Sequence, residues 1–501
     1  MFRKIRDNLC AATAIVLALL PTARIFQGWV CRINSPGEWD YGPAKIALLI
    51  RIMRHGGGLY NNCSQPPYPA AVLYNPAAIY LAAVLTPLFG QNPIASLEAG
   101  RLLVVSSTIA VCILIFFLAH RSGAAAGAAL IVVLAFALSP FLEPWGFEFR
   151  VDMPALACEL AGLYLFQEEM LLPSAVAFVL AFFVKQSYVS GIAATALYSM
   201  LNGRWRRAVV LSALWLGAVG LLTAVLKSVF PYYFLNTYLA LSPALNPALT
   251  AGFIDRLLLW HFPLIALATV GVASHCPRHS LTVSYLLIAL ANGSLQYMRS
   301  GGTLYYLLPA LAGLAVVAGP PLSDLLKQSE TLSVPIKLVA GAAIAWTLVV
   351  PLWLGGVTDM LTIRREVVTR DFSCPYHGKP PWDARALRLL DSLRGPVITD
   401  DFGLVLNDPA RDIQAIDLWP LRVMLESGRF DDRPLVDDVE RRRIAAFALE
   451  QQLLDRQWQG RKFFWPRLRR AILDNYVLVP GVGPPYLMIP KPATGAPSSA
   501  R

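Results

Sequence analysis

Two carboxylates, Glu38 and Asp40, stand two residues apart in "SPGEWDYGPAK" (35–45), bracketed by Pro36, Gly37, Gly42 and Pro43. The flanking Gly and Pro argue against helix, and in an extended stretch residues two apart point the same way. Both acids would then face one site. Close carboxylates push one pKa upward, which suits a general base; the same pair also suits a divalent cation. An ordinary solvated acidic loop is the plainer alternative. A second group follows in "EFRVDMPALACEL" (148–160), where Glu148, Arg150 and Asp152 stand at the mouth of an apolar segment. Arg150 offers a planar fork for a phosphate, and Asp152 can ligate a metal or position Arg150. The alternative is a structural Arg–Asp pair capping the helix. Lys185, in "FFVKQSYV", is a compact cation suited to a phosphate, or else a snorkelling lysine. Arg299, in "QYMRSGGTLYYLLP", adds a further cation, followed by Tyr305 and Tyr306, for which interfacial anchoring is the bland reading.

The elements that must position these groups are membrane elements. Of 501 residues, 56% are hydrophobic and 15% charged, and the mean hydropathy is +0.52. A soluble chain would carry roughly 25% charged residues. The apolar residues arrive in runs close to the length that crosses a ~30 Å hydrocarbon core. The chain therefore reads as mainly α, a polytopic transmembrane helical bundle in a lipid bilayer. Its net charge of +11 then sets topology and meets anionic lipid or phosphate, with no call for nucleic acid. The opening "MFRKIRDNLCAATAIVLALLPTARIF" reads as a retained first span, because Pro21 and Ala23 make a poor signal-cleavage site. Seven cysteines lack metal spacing; Cys31 and Cys63 share one loop and either pair or stay free thiols.

Apolar segments lie at about 9–30, 101–119, 123–139, 153–166, 170–184, 187–201, 208–227, 257–274, 279–296, 303–319 and 336–356. One more, 69–89, is interrupted by Pro76 and Pro87. If it does not cross, the basic "FRKIR", "HRSG" (120–123), "GRWRR" (203–207) and "HCPRH" (275–279) all fall on the cytoplasmic side, as the positive-inside rule requires. The expectation is about eleven spans with a cytoplasmic N-terminus. The first outer loop (31–100), the second (140–153) and everything after about 357 then share the outer side. Within the first loop, "AKIALLIRIMRH" is too short to span and places Arg51 and Arg54 on one face, an amphipathic juxtamembrane helix. The 69–89 segment would be a second.

After about 357 the character changes. Charge and aromatic content rise; "GPVITDDFGLVL" and "YVLVPGVGPPYLMIP" read as strands, and "VDDVERRRIAAFALEQQLL" as a helix. The organisation expected is a membrane module over 1–356 and a small extracytoplasmic α/β domain over 357–501 with a disordered tail. Acids and cations from distant loops would meet at one membrane surface, where an amphiphile with an anionic head can reach them. No glycine-rich phosphate loop follows a strand; "GGG" (56–58) reads as a helix stop.

In order along the chain, "EWDYG", "GGGLY", "PPYPAAVLYNPAAIYLAAVL", "RVDMPALACELAGLYL", "FVKQSYVSGIAATALYSMLNGRWRRA" and "RSGGTLYYLLPALAGLAVVAG" resemble GT-C-type membrane glycosyltransferases, the bacterial relatives of protein O-mannosyltransferases and lipid A aminoarabinose transferases. The resemblance spans essentially the whole chain. It implies a bacterial inner-membrane enzyme with an outward-facing site that moves a sugar from a polyprenyl phosphate to an extracytoplasmic acceptor. It implies Asp40 as the catalytic base, with Glu38 a looser match because many relatives place the two acids adjacent. Arg150, Lys185 and Arg299 would hold the donor phosphate; Asp152 and Glu148 would support it or a divalent cation, a metal that the resemblance leaves open. The competing readings are a non-enzymatic carrier of lipid or solute and a catalytically degenerate scaffold.

Overall fold

The computed structural model describes residues 9–35, 42–65, 68, 70–142, 145–241, 245, 249–275, 280–299, 304–354, 382–407, 413–449, 453 and 464–492. Glu38, Asp40 and the tail after 492 therefore lie outside the described residues.

The apolar runs become helices: α1 (Leu9–Arg32), α2 (Pro43–Arg54), α3 (Ala77–Leu85), α4 (Ala95–Arg121), α5 (Ala126–Ala137), α6 (Asp152–Gln167), α7 (Leu171–Val184), α8 (Ser190–Leu201), α9 (Trp205–Val229), the short α10 (Tyr233–Thr237), α11 (Leu249–Val270), α12 (Leu281–Tyr297), α13 (Leu308–Ser329) and α14 (Val334–Leu354). Helix α4 shows the local logic. Glu98 lies in its first turn and His120 and Arg121 in its last, each charge opposing the helix dipole at its own end. Among the described residues four helices are long and apolar enough to cross a bilayer: Leu9–Cys31, α4, α9 and Leu304–Ser329. Shorter apolar helical stretches of 10–17 residues lie at Ala77–Phe89, Ala126–Ala137, Leu171–Val184, Ser190–Leu201, His261–Ala273 and Val334–Leu348. Four is the number of full crossings that helix length and composition alone carry among the described residues. Prolines, charges and the kink at His261 in α11, next to Pro263, cut the remaining segments short. The last of the four is the bundle's centre, 94% of its apolar window buried, while α9 is peripheral at 6%.

Side-chain contacts sort the turns onto two rims. On one, Arg121 reaches Glu168 (3.6 Å), Arg204 reaches Glu169 (3.7 Å) and Arg207 pairs with Glu169. On the other, Arg101 donates to the Ser35 carbonyl (2.6 Å), Asn75 to the Phe182 carbonyl (2.8 Å) and Asn236 to the Asn61 carbonyl (2.7 Å). Asn75 brings the segment expected over 69–89 to this second rim. Its helix starts only at Ala77, after Pro76, and passes at Thr86 into a 3₁₀ turn holding Pro87.

A five-stranded sheet follows: α15 (Ala384–Ser392), β1 (Val397–Thr399), α16 (Phe402–Asn407), β2 (Ile413–Ala415), α17 (Leu418–Glu426), α18 (Arg433–Glu440), β3 (Ala446–Leu449), α19 (Pro466–Asn475), β4 (Tyr476–Leu478) and β5 (Tyr486–Pro490). The strand order is β2-β1-β3-β5-β4, with β1 parallel to β2 and β3 and the rest antiparallel. The helix expected across 436–454 is corrected here. It stops at Glu440, Arg442 takes a positive φ of 55°, and "AFAL" becomes β3, buried along its whole length. A short apolar run sandwiched on both faces has no alternation to distinguish it from buried helix. The expected strand "GPVITDDFGLVL" likewise divides into β1 and α16.

The sheet unit closes over the second rim. Lys45 of α2 and Asp417, just before α17, are both buried and form an ion pair at 2.8 Å. Arg51 donates to the Leu406 carbonyl (3.1 Å) and Arg429 to the Leu239 carbonyl (3.0 Å). Tyr68 meets Phe430 edge-on at 5.7 Å. Pro43 to Ile50 are consequently all buried, so α2 is clamped between bundle and sheet unit at its start rather than lying open on lipid. Cys63 is a buried free thiol in the same seam, pushed up to about 12 by burial and then by the Asp417 carboxylate. Cys31 is disulfide-bonded, and Cys63 is not its partner.

Removing one partner of a buried ion pair leaves an uncompensated charge, at about 3–5 kcal/mol. Asp417→Ala should therefore lower the unfolding temperature in detergent and open the sheet unit to trypsin, whereas the Lys45→Met/Asp417→Leu double variant should lose much less.

Candidate active site

Asp152 opens α6, and Lys185 closes α7 with extended dihedrals (φ −149°, ψ 119°) that turn its side chain back toward α6. The Lys185 ammonium lies 2.5 Å from Asp152 Oδ1, with both side chains almost wholly buried. Tyr188 donates weakly to the same oxygen at 3.5 Å. Tyrosines wall the ammonium: the Tyr305 and Tyr306 ring centroids are 4.1 and 4.3 Å from Nζ, and Tyr74 and Tyr188 are 5.9 Å away. Ring faces attract a cation, and in a desolvated pocket such contacts are worth about 2 kcal/mol. Asp152 Oδ2 is buried with no hydrogen-bond partner among the described residues. The pair thus holds one acceptor in reserve inside a polar pocket.

Arg150 stands beside this pair. Its Nη1 donates to the Tyr74 hydroxyl (3.2 Å), and its guanidinium carbon lies 5.8 Å from the Tyr305 centroid. The same guanidinium abuts Gly42. A Cβ on Gly42 would fall 3.2 Å from Arg150 Nη1 and 3.3 Å from its Cζ, and the φ of +126° is one that side chains rarely adopt. Gly42 is therefore required twice, for its dihedral and for the close approach. The contact carries the chain to within two residues of Asp40 at the edge of the cationic pocket.

Of the residues singled out in the sequence, Arg150, Asp152 and Lys185 come together. Glu148 faces elsewhere: it is fully buried against Arg101, with Nη2–Oε1 at 3.2 Å, and Arg101 in turn holds the Ile33 and Ser35 carbonyls. This buried pair fastens the start of the first loop. Arg299 is exposed, its backbone bridged to Leu245. Tyr74 and Tyr188 were not foreseen. Each sits close to a singled-out feature, Tyr74 in the 69–89 segment and Tyr188 in the Lys-Gln segment, which is a signal available in hindsight only.

No three His, Cys, Asp or Glu side chains converge among the described residues. The one carboxylate oxygen in the pocket without a partner, on Asp152, lies beside an ammonium. Two cations in a dry aromatic pocket favour an anion, and a divalent cation would need acids from the 36–41 stretch. An apolar cavity of about 390 Å³ lies elsewhere in the bundle, its polar end made by Ser139 Oγ at 2.9 Å from His261 Nε2.

No family model matches the sequence, and no curated protein matches it. Solved structures do match in fold. ArnT from Cupriavidus metallidurans in the apo state is 12% identical with a TM-score of 0.62, covering 94% of this chain and 97% of that one. The same protein bound to undecaprenyl phosphate is 13% identical with a TM-score of 0.60, covering 95% and 97%. The archaeal oligosaccharyltransferase AglB from Archaeoglobus fulgidus, in complex with an inhibitory peptide and a dolichol-phosphate, is 12% identical with a TM-score of 0.52, covering 98% and 75%. This chain shares its fold with these solved structures.

Asp152→Ala strands the Lys185 ammonium in a dry pocket, at about 3–5 kcal/mol. Thermal unfolding in detergent should show a large loss for that variant and substantial recovery in Asp152→Ala/Lys185→Met.

Proposed function

We propose that the protein is a membrane glycosyltransferase that moves a sugar from a polyprenyl-phosphate donor to an extracytoplasmic acceptor. The observation that carries this reading is the contact of Gly42 with the Arg150 guanidinium. It joins the acid-bearing stretch to a buried pocket with two cations and four tyrosines. Such a pocket suits a phosphate head whose tail stays in lipid. Neighbours in fold that were solved with undecaprenyl phosphate and with a dolichol-phosphate support the same donor class.

The reaction is a single displacement with inversion. The acceptor hydroxyl attacks the anomeric carbon while Asp40 takes its proton, with Glu38 alongside. The bond from that carbon to the phosphate oxygen breaks, and polyprenyl phosphate leaves with the electron pair. Charge grows on the phosphate as the bond breaks, so cations already fixed in a dry pocket stabilise the transition state more than the ground state. Arg150 and Lys185 supply that charge directly, and Arg299 supports it from the surface. Asp152 holds Lys185 in place, and Glu148 keeps the loop seated through Arg101. The catalytic module is residues 1–356, the sheet unit within 357–501 covers it, and the rim bearing both faces outward from a bacterial inner membrane.

Mass spectrometry of glycolipids and glycans from cells with and without the gene tests the reading. A difference of one sugar residue, restored by the wild type and not by Asp40→Asn, is expected. General-base loss should slow transfer by about 10²–10⁴-fold. An Asp40→Asn protein that restores the sugar fully would remove Asp40 from the mechanism, and no difference in any glycan would refute transfer. Purified Arg150→Ala and Lys185→Met should each bind undecaprenyl phosphate about tenfold or more weakly than wild type.

A further inference from the structure

Glu159 lies seven residues beyond Asp152 on α6, on the same helix face and two turns deeper. It is fully buried inside the bundle. An acid so placed is costly and holds its position only through partners. It has two. Glu159 Oε1 accepts the Gly191 amide at 2.8 Å, and Oε2 accepts the Tyr285 hydroxyl of α12 at 3.0 Å.

Gly191 is the second residue of α8, so its amide is one of the N–H groups left without a partner inside the helix. A carboxylate there meets both the open donor and the positive end of the helix dipole. The approach needs glycine, because a Cβ at 191 would lie 2.7 Å from Glu159 Cγ and 2.5 Å from Phe178 Cε1. From the other side Asn292 donates to the Ser187 carbonyl (2.8 Å) and to Ser190 Oγ (3.1 Å). The turn from α7 into the start of α8, residues 185–191, is thus held from several sides, Gln186 donating to the Leu73 and Thr237 carbonyls among them. Lys185 rests on Asp152, Ser187 on Asn292, and Gly191 on Glu159. Two of these anchors belong to one rigid helix, which fixes their separation.

We infer that Glu159 is a positioning residue for the Lys185 ammonium, acting by capping α8 from the helix that carries Asp152. The inference rests on Lys185 being a donor-phosphate group, as proposed above. Tyr285 orients the carboxylate and is the outer support of the same device.

Amide hydrogen exchange of the full-length protein in detergent, read over 184–192, tests the device without any turnover. Glu159→Ala should speed exchange there by about tenfold, the size of one buried hydrogen bond. Glu159→Gln keeps an oxygen for the Gly191 amide and should stay near wild type. Undecaprenyl phosphate binding should follow the same order, weakened in Glu159→Ala and rescued in Glu159→Gln. If Glu159→Ala does not fold, Tyr285→Phe takes its place and should give a smaller rise in exchange over the same peptide. Unchanged exchange in the variant measured, or a Glu159→Gln protein as impaired as Glu159→Ala, overturns the inference. Lys185→Met binding undecaprenyl phosphate as well as wild type would instead overturn the donor-phosphate reading, leaving the exchange result to judge the anchor.

Discussion

The buried pair of Lys185 and Asp152 is the constraint around which the membrane module is arranged. An ammonium taken out of water tolerates few surroundings, and here it has a carboxylate at 2.5 Å and ring faces on its other sides. Satisfying it dictates where α6 begins and where α7 stops. It also brings Tyr305 and Tyr306, from the start of the central helix, against two earlier helices. A pocket made this way is stiff. Its polar groups are already desolvated and oriented.

Second-rim contacts extend that order outward. Arg101 and Glu148 hold the chain as it leaves α1, and Gly42 lets it return against Arg150. In the sequence, Glu38 and Asp40 fall between Ser35 and Gly42. Both buried pairs are expensive to desolvate and poor sources of net stability. Their value lies in register, because each can be satisfied in only one arrangement of helices.

Much of this was legible in the chain itself, and the gaps have physical reasons. Arg150, Asp152 and Lys185 stood out because a charge at the end of an apolar run is conspicuous, and the break of 69–89 into a short helix and a 3₁₀ turn followed from its prolines. Tyr74, Tyr188 and Glu159 were missed because their roles depend on partners far along the chain; Tyr285 is 126 positions from Glu159. Tyrosines near an interface have a bland explanation that hides a specific one. Strand β3 was misread because four apolar residues buried on both faces carry no period. Helix α2 was read as an amphipathic juxtamembrane helix, and nothing local announces the sheet unit that covers its start.

Lys45 and Asp417 are 372 residues apart, which gives the ion pair a consequence in time. During synthesis α2 exists long before the sequence that neutralises its lysine. Until the last quarter of the chain has been made and folded, that ammonium must stay hydrated and its helix unsealed. Helix α2 is therefore among the first segments to emerge and among the last to be sealed.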